Sequence, residues 1–475
     1  MKKICAFTLA ALLTGFAAAP AANAYEAFNG PLGVLTNEPA ALQGYTLVTP
    51  QQAKRTYLID MKGNVVQEWD SEYTAFFSLL DPKTGNMIRH GNVPEGAKTP
   101  FGGQAGIFEE FDWTGKKVWE YNSYTPTEIS HHTFSLMPNG NILCLIWKQH
   151  SYDEAIAKGL DPEKPGRAML PKGVKIGFGE PVQVEGIWVD VIREVERGTG
   201  KTVWEWDVWD HIGTGPDQID INVFCGLINM KSFTGPDWTH FNGVSYNPDT
   251  NEVCFTSRNL GEVYVIDYGK NEGIKFRWGN PANYGQGKAP AGYGNDGDQK
   301  LFGPHAPAWT KEGTITIFDN GTQRPSGNYS RGVEISRDGK LVSQWNAGMS
   351  GTGNFNFYTP FQGGVQKLDN GNILITSTQN GHIVEVTPDN SVVWEFNNPM
   401  GAGNKVYSSA SNQGFANQFA VHKALRYTPD FPGFAGKDLS VKHPLMPEGT
   451  PDWVTLLKAG VDGPDAPAFV KAHQK

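Results

Sequence analysis

The chain has 475 residues, a formal charge of −9 and only 19% charged residues, whereas about 25% is usual in globular proteins. Its 56 glycines and 12% aromatic residues are typical of a compact all-β protein with many tight turns. This composition excludes a disordered chain, a coiled coil and a helical bundle. The acidic charge, with no basic cluster, argues against nucleic-acid binding.

The first 24 residues have the pattern of a secretory signal peptide. Lys2 and Lys3 precede an apolar run from Ile4 to Ala19, and Ala22-Asn23-Ala24 matches a signal-peptidase site. The run is short for a membrane span, so we predict no membrane anchor. We therefore expect an exported, periplasmic protein.

The cysteines leave two alternatives open. Cys144, Cys225 and Cys254 follow the predicted signal peptide, and none of them lies in a cluster with zinc-ligand spacing. One disulfide, such as Cys225 with Cys254, or three buried thiols would each fit an exported protein.

A repeated pattern predicts the fold. The pattern consists of a short β run, a turn with Gly, Asn or Asp, and a strand that ends in tryptophan. It occurs six times, and the copies end at Trp69, Trp119, Trp204, Trp278, Trp345 and Trp394. A unit of roughly 50 residues plus insertions matches one four-stranded propeller blade. The sequence therefore predicts an all-β, six-bladed β-propeller.

The domain limits follow from this repeat. We predict a signal peptide over 1–24, a lead-in over 25–55, the propeller over 56–435 and a tail with a short helix over 436–475. The N-terminal segment is expected to pair into the last blade and close the ring. Segments 150–185 and 281–304, rich in Gly, Pro and Lys, are predicted as loops over one face.

Four histidines stand where the predicted innermost strands begin. They are His132, His240, His305 and His422, and Arg324 follows the strand that His305 opens. Imidazoles act as nucleophile, base or acid, and a guanidinium binds an oxyanion with two prongs. Because carboxylates are sparse in these motifs, the set favours transfer of a sulfuryl or phosphoryl group. A three-histidine zinc or copper centre stays open.

Several motifs between Asp237 and Tyr427 together carry a family resemblance. They are Thr239-His240-Phe241-Asn242, His305-Ala306-Pro307-Ala308-Trp309, Phe318-Asp319-Asn320-Gly321 with Arg324, Tyr329-Ser330-Arg331 with Glu334, Phe357-Tyr358-Thr359-Pro360 and His422-Lys423-Ala424-Leu425. In this order and spacing they resemble the bacterial arylsulfate sulfotransferases. The resemblance implies a periplasmic six-bladed propeller that needs no nucleotide sulfate donor.

The resemblance also implies roles for individual residues. His422 corresponds to the histidine that is transiently sulfated, while His240, His305 and Arg324 correspond to the groups that complete the site. We expect His132, Asn320 and Tyr358 to contact substrate. The expected partners are an aryl sulfate donor and a phenolic acceptor, with ping-pong transfer and neither a metal nor another cofactor.

One departure from the family pattern and two rival functions stand beside this interpretation. Residues 25–55 leave little room for the N-terminal β domain that helps enterobacterial members dimerise, so monomer and homodimer both stay open. The run from Glu196 to Trp204 resembles the tryptophan-docking phrase of quinone-cofactor dehydrogenases. A non-catalytic propeller that serves as a binding platform is the other alternative.

Overall fold

The protein is a six-bladed β-propeller, as the tryptophan repeat predicts. A computed structural model describes residues 31–93, 102–161, 174–175, 181–182, 186–223, 237–408 and 418–460. Six antiparallel sheets, each with four strands in the common blade order, surround one axis. The predicted signal peptide and Cys225 lie outside the described residues.

The first three blades are built as follows, each given from its innermost strand outward. Blade one has β27 (Leu425–Tyr427), β2 (Tyr45–Val48), β3 (Arg55–Ile59) and β4 (Asn64–Asp70), with a short outer strand β28 (His443–Pro444). Blade two has β5 (Thr74–Leu80), β6 (Met87–Asn92), β7 (Gly106–Phe111) and β8 (Lys117–Asn122). Blade three has β9 (Glu128–Leu136), β10 (Ile142–Ser151), β13 (Gly186–Val195) and β14 (Thr202–Asp207).

The remaining blades follow in chain order. Blade four has β15 (Phe241–Asn247), β16 (Glu252–Ser257), β17 (Glu262–Asp267) and β18 (Phe276–Trp278). Blade five has β19 (His305–Trp309), β20 (Ile315–Asp319), β21 (Arg331–Ile335) and β22 (Leu341–Trp345). Blade six has β23 (Gly364–Lys367), β24 (Ile373–Ser377), β25 (His382–Val386) and β26 (Val392–Asn397), and β1 (Gly33–Asn37) adds a fifth strand outside β26.

Both ends of the chain close the ring. Strand β27, near the C-terminal end of the propeller, pairs with β2, and the N-terminal strand β1 pairs with the outer strand of blade six. Buried Arg426 reinforces this seam, because its Nη1 lies 3.1 Å from Glu385 Oε2 in blade six and its Nε donates to Thr46 Oγ1 in blade one at 2.8 Å. The segment predicted as a lead-in thus supplies strands to two blades.

The repeated tryptophans lie on the outermost repeat strand of every blade, and in three blades the indole N–H bonds to the neighbouring blade. The indole Nε1 of Trp69 donates to Asp112 O at 2.9 Å, across to the turn before β8. Trp206 makes the equivalent bond from blade three to blade four, and Trp394 from blade six to blade one. In blade three this residue is Trp206, two positions after the predicted Trp204. One buried indole therefore contributes both apolar surface and a directional bond to the blade interface.

The predicted loop 150–185 contains regular structure in its described parts. Helix α1 (Tyr152–Ala157) begins with a capping box in which Ser151 and Glu154 satisfy each other's backbone N–H groups. Two-residue strands β11 (Val174–Lys175) and β12 (Pro181–Val182) pair with each other. The expected C-terminal helix is α2 (Trp453–Lys458), capped by Asp452.

Two further features bear on the sequence-based expectations. The thiols of Cys144 and Cys254 are free and buried, and burial raises the pKa of Cys144 to about 12. No helix within the described ranges has the length and apolar character needed to cross a membrane.

Candidate functional site

Three of the four predicted histidines lie at the start of inner strands, and His132 lies in the middle of one. His132 is within β9, His240 precedes β15, His305 opens β19 and His422 precedes β27. The register of β9, β15 and β19 against the next strand is irregular at these points. His132 and His240 adopt positive φ angles of 54° and 48°, which are uncommon for a residue with a Cβ. Such backbone conformations cluster at functional sites.

The structure brings the four imidazoles together, with His132 at the centre. The ring centroid of His132 lies 4.8 Å from that of His240, 6.0 Å from that of His305 and 6.4 Å from that of His422. His240 is the most exposed at 8%, and His422 is 0% exposed. The cluster is thus almost dry, and its open side lies at His240.

His422 is a neutral imidazole with both ring nitrogens available. Neither nitrogen has a hydrogen-bond partner among the described residues, and the ring packs 4.6 Å from the Phe76 ring. Burial, aided by the neighbouring charge of Lys423, lowers the pKa of His422 to about 3. A lone pair is therefore present at neutral pH, as a nucleophile requires.

His240 is paired with a carboxylate. Its Nδ1 hydrogen-bonds Asp237 Oδ2, three residues earlier in the chain. A carboxylate on one ring nitrogen fixes the orientation of the imidazole and stabilises the imidazolium that forms when the other nitrogen takes a proton. The motif that contains His240 begins at Thr239, so the sequence alone assigns no role to Asp237, two residues before it.

His305 is held on both sides of its ring. Its Nδ1 is 2.6 Å from Asn320 Oδ1 and 3.0 Å from Gly303 O, while its Nε2 accepts the N–H of Gln362 at 3.0 Å. The Asn320 amide also donates to Thr359 O and Gln362 O, each at 2.8 Å. Asn320 therefore lies behind His305, and its amide oxygen and nitrogen are bonded within the protein. The sequence predicts that this residue contacts substrate.

His132 stands at the end of a chain of close polar contacts. Its Nδ1 is 2.9 Å from His131 Nδ1, and His131 Nε2 is 3.0 Å from Asp190 Oδ1. Burial and the charge of Asp237 raise the pKa of Asp190 well above its ordinary value. Gly103 covers the His132 ring so closely that a Cβ there would lie 2.1 Å from the ring. His131 and Asp190 were missed because their pairing joins separate strands of blade three.

Arg324 is bonded to groups other than the four histidines. Its Nη2 is 2.6 Å from Asp319 Oδ2, and its Nη1 donates to Tyr329 O at 3.0 Å. The same Asp319 oxygen accepts Arg331 Nε at 2.7 Å. Within the described part of the chain Arg324 hydrogen-bonds none of the four histidines. Its link to the histidines is indirect: Arg324 binds Asp319, and the next residue, Asn320, hydrogen-bonds His305.

The aromatic residues of the motifs shared with the family separate into two groups. Phe357 packs 5.1 Å from the Trp345 ring in a core cluster, and Trp309 packs against another core cluster between blades. Tyr358 is 5% exposed, and its charge affects the pKa of Arg258, which directly follows β16. Tyr358 therefore remains the aromatic candidate for contact with substrate.

Three of the histidines also form a candidate metal group. One nitrogen from each of His132, His240 and His305 falls within 4.8 Å of the others. Tetrahedral zinc with bonds of about 2.0 Å needs nitrogens about 3.3 Å apart. His305 Nε2 already accepts the Gln362 N–H, so binding would cost that bond. The observed bonds favour proton and group transfer over metal ligation.

Comparison with known proteins finds similarity to one family over part of the chain. The arylsulfotransferase (ASST) family model matches residues 182–407, a segment that holds His240, His305 and Arg324 and ends before His422. Arylsulfate sulfotransferase AssT of Escherichia coli O6:H1 is 21% identical over 363 residues, which cover 64% of this chain and 54% of that protein. The chain thus spans about half the length of this curated relative.

Solved structures with a similar outline are more distant. A Bacteroides caccae protein of unknown function is 11% identical with a TM-score of 0.46, covering 81% of this chain and 98% of that one. Virginiamycin B lyase of Staphylococcus aureus is 12% identical with a TM-score of 0.37, covering 77% of this chain and 83% of that one. Similarity at this level says nothing about activity. The chain is thus similar to the arylsulfotransferase family through residues 182–407, which include three of the predicted catalytic residues.

Proposed function

We propose that the protein is an exported arylsulfate sulfotransferase that moves a sulfuryl group from an aryl sulfate to a phenol by a ping-pong mechanism. One observation carries this proposal: a single buried cluster holds two histidines with different surroundings. His422 is neutral and free to attack, and His240 is bound to Asp237 and suited to proton transfer.

In the first half-reaction a ring nitrogen of His422 attacks sulfur, and the bond from sulfur to the aryl oxygen breaks. The proton on His240 passes to the departing aryl oxygen, which leaves as a phenol. Placing the aryl group at the open side of the cluster puts this oxygen near His240, and Tyr358 is the aromatic residue available to contact the ring. General acid catalysis of this kind is worth about 10²- to 10⁴-fold.

In the second half-reaction the phenolic acceptor gives its proton to His240, and its oxygen attacks the sulfur of sulfo-His422. The nitrogen–sulfur bond breaks, and His422 returns to its neutral form. One histidine thus serves as acid and then as base, while the other holds the sulfuryl group between the two steps.

Positive charge near the cluster stabilises the sulfonate oxygens. Arg324 and Arg331 share the single carboxylate of Asp319, so this group carries a net positive charge behind His305. Lys423 adds a second cation next to His422, and burial lowers its pKa to about 8. Such fixed charges act on the developing negative charge without reorganisation during the reaction.

The proposal is tested with purified protein and 4-nitrophenyl sulfate, with and without phenol. Acceptor-dependent release of nitrophenol supports the transferase. Reduction of a redox dye in place of nitrophenol release would identify a dehydrogenase, and inactivity in both assays a binding platform. His443→Gln is the matched control, because His443 is exposed on the outer strand β28 and should leave the rate unchanged.

Export is proposed from the signal-peptide pattern. Cell fractionation followed by N-terminal sequencing should place the protein in the periplasm with Tyr25 as its first residue. An intact N-terminus in the cytoplasmic fraction would contradict it.

A further inference from the structure

A buried carboxyl group of blade three holds the segment of blade four that carries His240. Asp190 lies in the middle of β13 and is 0% exposed. Its Oδ2 accepts a hydrogen bond from Thr239 Oγ1 and another from the Phe241 N–H at 2.9 Å. These two residues stand directly before and after His240, so one oxygen atom fixes the chain on both sides of that histidine.

The same carboxyl group reaches a second histidine segment. Oδ1 of Asp190 lies 3.0 Å from Nε2 of His131. On the other side of its ring, His131 Nδ1 is 2.9 Å from Nδ1 of His132. The rings of His132 and His240 are only 4.8 Å apart by their centroids. Asp190 therefore bridges the two segments whose histidines meet in the cluster.

Both histidine segments have a backbone that needs support. His132 and His240 adopt positive φ angles of 54° and 48°. A residue with a Cβ keeps such a conformation only where the surrounding structure holds it. At His240 the bonds from Asp190 act on the two neighbours of the strained residue. They therefore fix the direction in which the His240 ring leaves the backbone.

The surroundings of Asp190 indicate that it serves placement more than stability. Within the described part of the chain it contacts no lysine or arginine. Several other buried carboxyl groups of the propeller are paired with arginine, such as Glu262 with Arg277 and Glu385 with Arg426. A buried carboxyl group without a cation costs stability relative to an apolar residue of similar size.

We propose that Asp190 is a positioning residue for the reaction and that it holds the His240 ring where proton transfer to and from the aryl oxygen takes place. The inference rests on the proposed function for the role of His240 as acid and base, and on the observed contacts for its placement. Asp190 is fully buried and acts only through the segment that carries His240. A displacement of about 1 Å at a catalytic group can cost about 10²-fold in rate.

The test compares two buried carboxyl groups of the same strand. Asp190→Ala removes both contacts, whereas Asp190→Asn keeps one oxygen to accept from the His240 segment. Glu194→Ala is the matched control, because Glu194 is also buried in β13 and also bonds blade four, through the Tyr268 hydroxyl. Its other bonds go to two asparagines of the turn between β9 and β10 and not to the histidine segments. The donor is phenyl sulfate and the acceptor is 4-methylphenol.

We expect Asp190→Ala to lower kcat by about 10- to 100-fold, with a much smaller change in the donor KM. Asp190→Asn should recover most of this loss, and Glu194→Ala should turn over as the wild type does. Because Asp190 and Asp237 both act through His240, the double variant of Asp190→Ala and Asp237→Asn should be no slower than the slower single variant. Thr239→Val, which removes one donor to Asp190, should slow turnover by about 2- to 10-fold.

A second readout does not depend on turnover. The proton between His240 Nδ1 and Asp237 gives a downfield signal in the ¹H NMR spectrum, which is identified by its loss in Asp237→Asn. Asp190→Ala should shift this signal, because the His240 ring moves relative to its carboxylate. Glu194→Ala should leave the signal in place.

The inference and the proposed function fail in different ways. Unchanged kcat in folded Asp190→Ala, equal losses in Asp190→Ala and Asp190→Asn, or additive losses in the double variant overturn the inference even if the wild type transfers sulfuryl groups. If Asp190→Ala does not fold, unchanged kcat and an unmoved NMR signal in Thr239→Val overturn it. If the wild type releases no phenol, the proposed function fails, and the NMR signal alone decides whether Asp190 positions His240.

Discussion

Replacement of Asp237 by Asn tests how His240 handles protons. The carboxylate bonds to Nδ1 of His240 and is nearly buried, so it stabilises the protonated ring in a dry environment. Asparagine keeps the size of the side chain but removes the charge. A hydrogen bond to a charged group is worth about 1.5–3 kcal/mol, which corresponds to a slowing of about 10- to 150-fold. If the amide also selects the wrong tautomer, the loss approaches about 10⁴-fold.

The assay uses aryl sulfates whose phenols differ in acidity. A good leaving group departs without a proton, so Asp237→Asn should affect 4-nitrophenyl sulfate least and phenyl sulfate most. The plot of log kcat/KM against leaving-group pKa should therefore become steeper in the variant. Asp249→Asn, at an exposed turn of the same blade, is the matched control. An equal loss for every donor, or none, would refute the assignment of His240 as acid and base.

Three further predictions follow from the packing around the site. Gly103→Ala should lower kcat and destabilise the protein by about 1–3 kcal/mol, because a Cβ there meets the His132 ring at 2.1 Å. The control Gly102→Ala, with open space around the new Cβ, should change neither the rate nor the melting temperature. Equal behaviour of the two variants would contradict the contact between Gly103 and His132. Burial lowers the pKa of both His90 and His422 to about 3, so as the pH falls below about 6.5 the unfolded chain takes up protons that the folded chain does not. Urea denaturation at pH 7 and 5.5 should show a loss of about 1 kcal/mol for each of these histidines, and a pH-independent midpoint would contradict it. A chelator should leave the transfer rate unchanged, whereas loss of activity restored by zinc would favour the three-histidine metal centre.

The sequence predicts the architecture because the repeat has a physical origin. Each blade needs one large residue on its outer strand to pack on its neighbour, so tryptophan recurs at blade spacing, as Trp69 and Trp394 show. The sequence also predicts the site histidines from the repeat. Every inner strand starts at the axis, so residues at this point of each blade come together there.

Other parts of the site depend on packing between loops of different blades, which spacing along the chain does not reveal. Asp190 meets His131 across blade three, and it bonds Thr239 across the interface between blades three and four. Asn320 stands in a motif shared with the family, but only the structure shows that its amide holds His305.

The most direct test concerns His422, which lies beyond the segment that matches the family model. The protein is mixed with an aryl sulfate in the absence of an acceptor, quenched, and examined by intact-mass and peptide-mapping mass spectrometry. We predict a gain of one sulfuryl group on His422, its disappearance when phenol is added, and no adduct in His422→Ala. A label on His240 or His305, or full transfer activity in His422→Ala, would contradict the account.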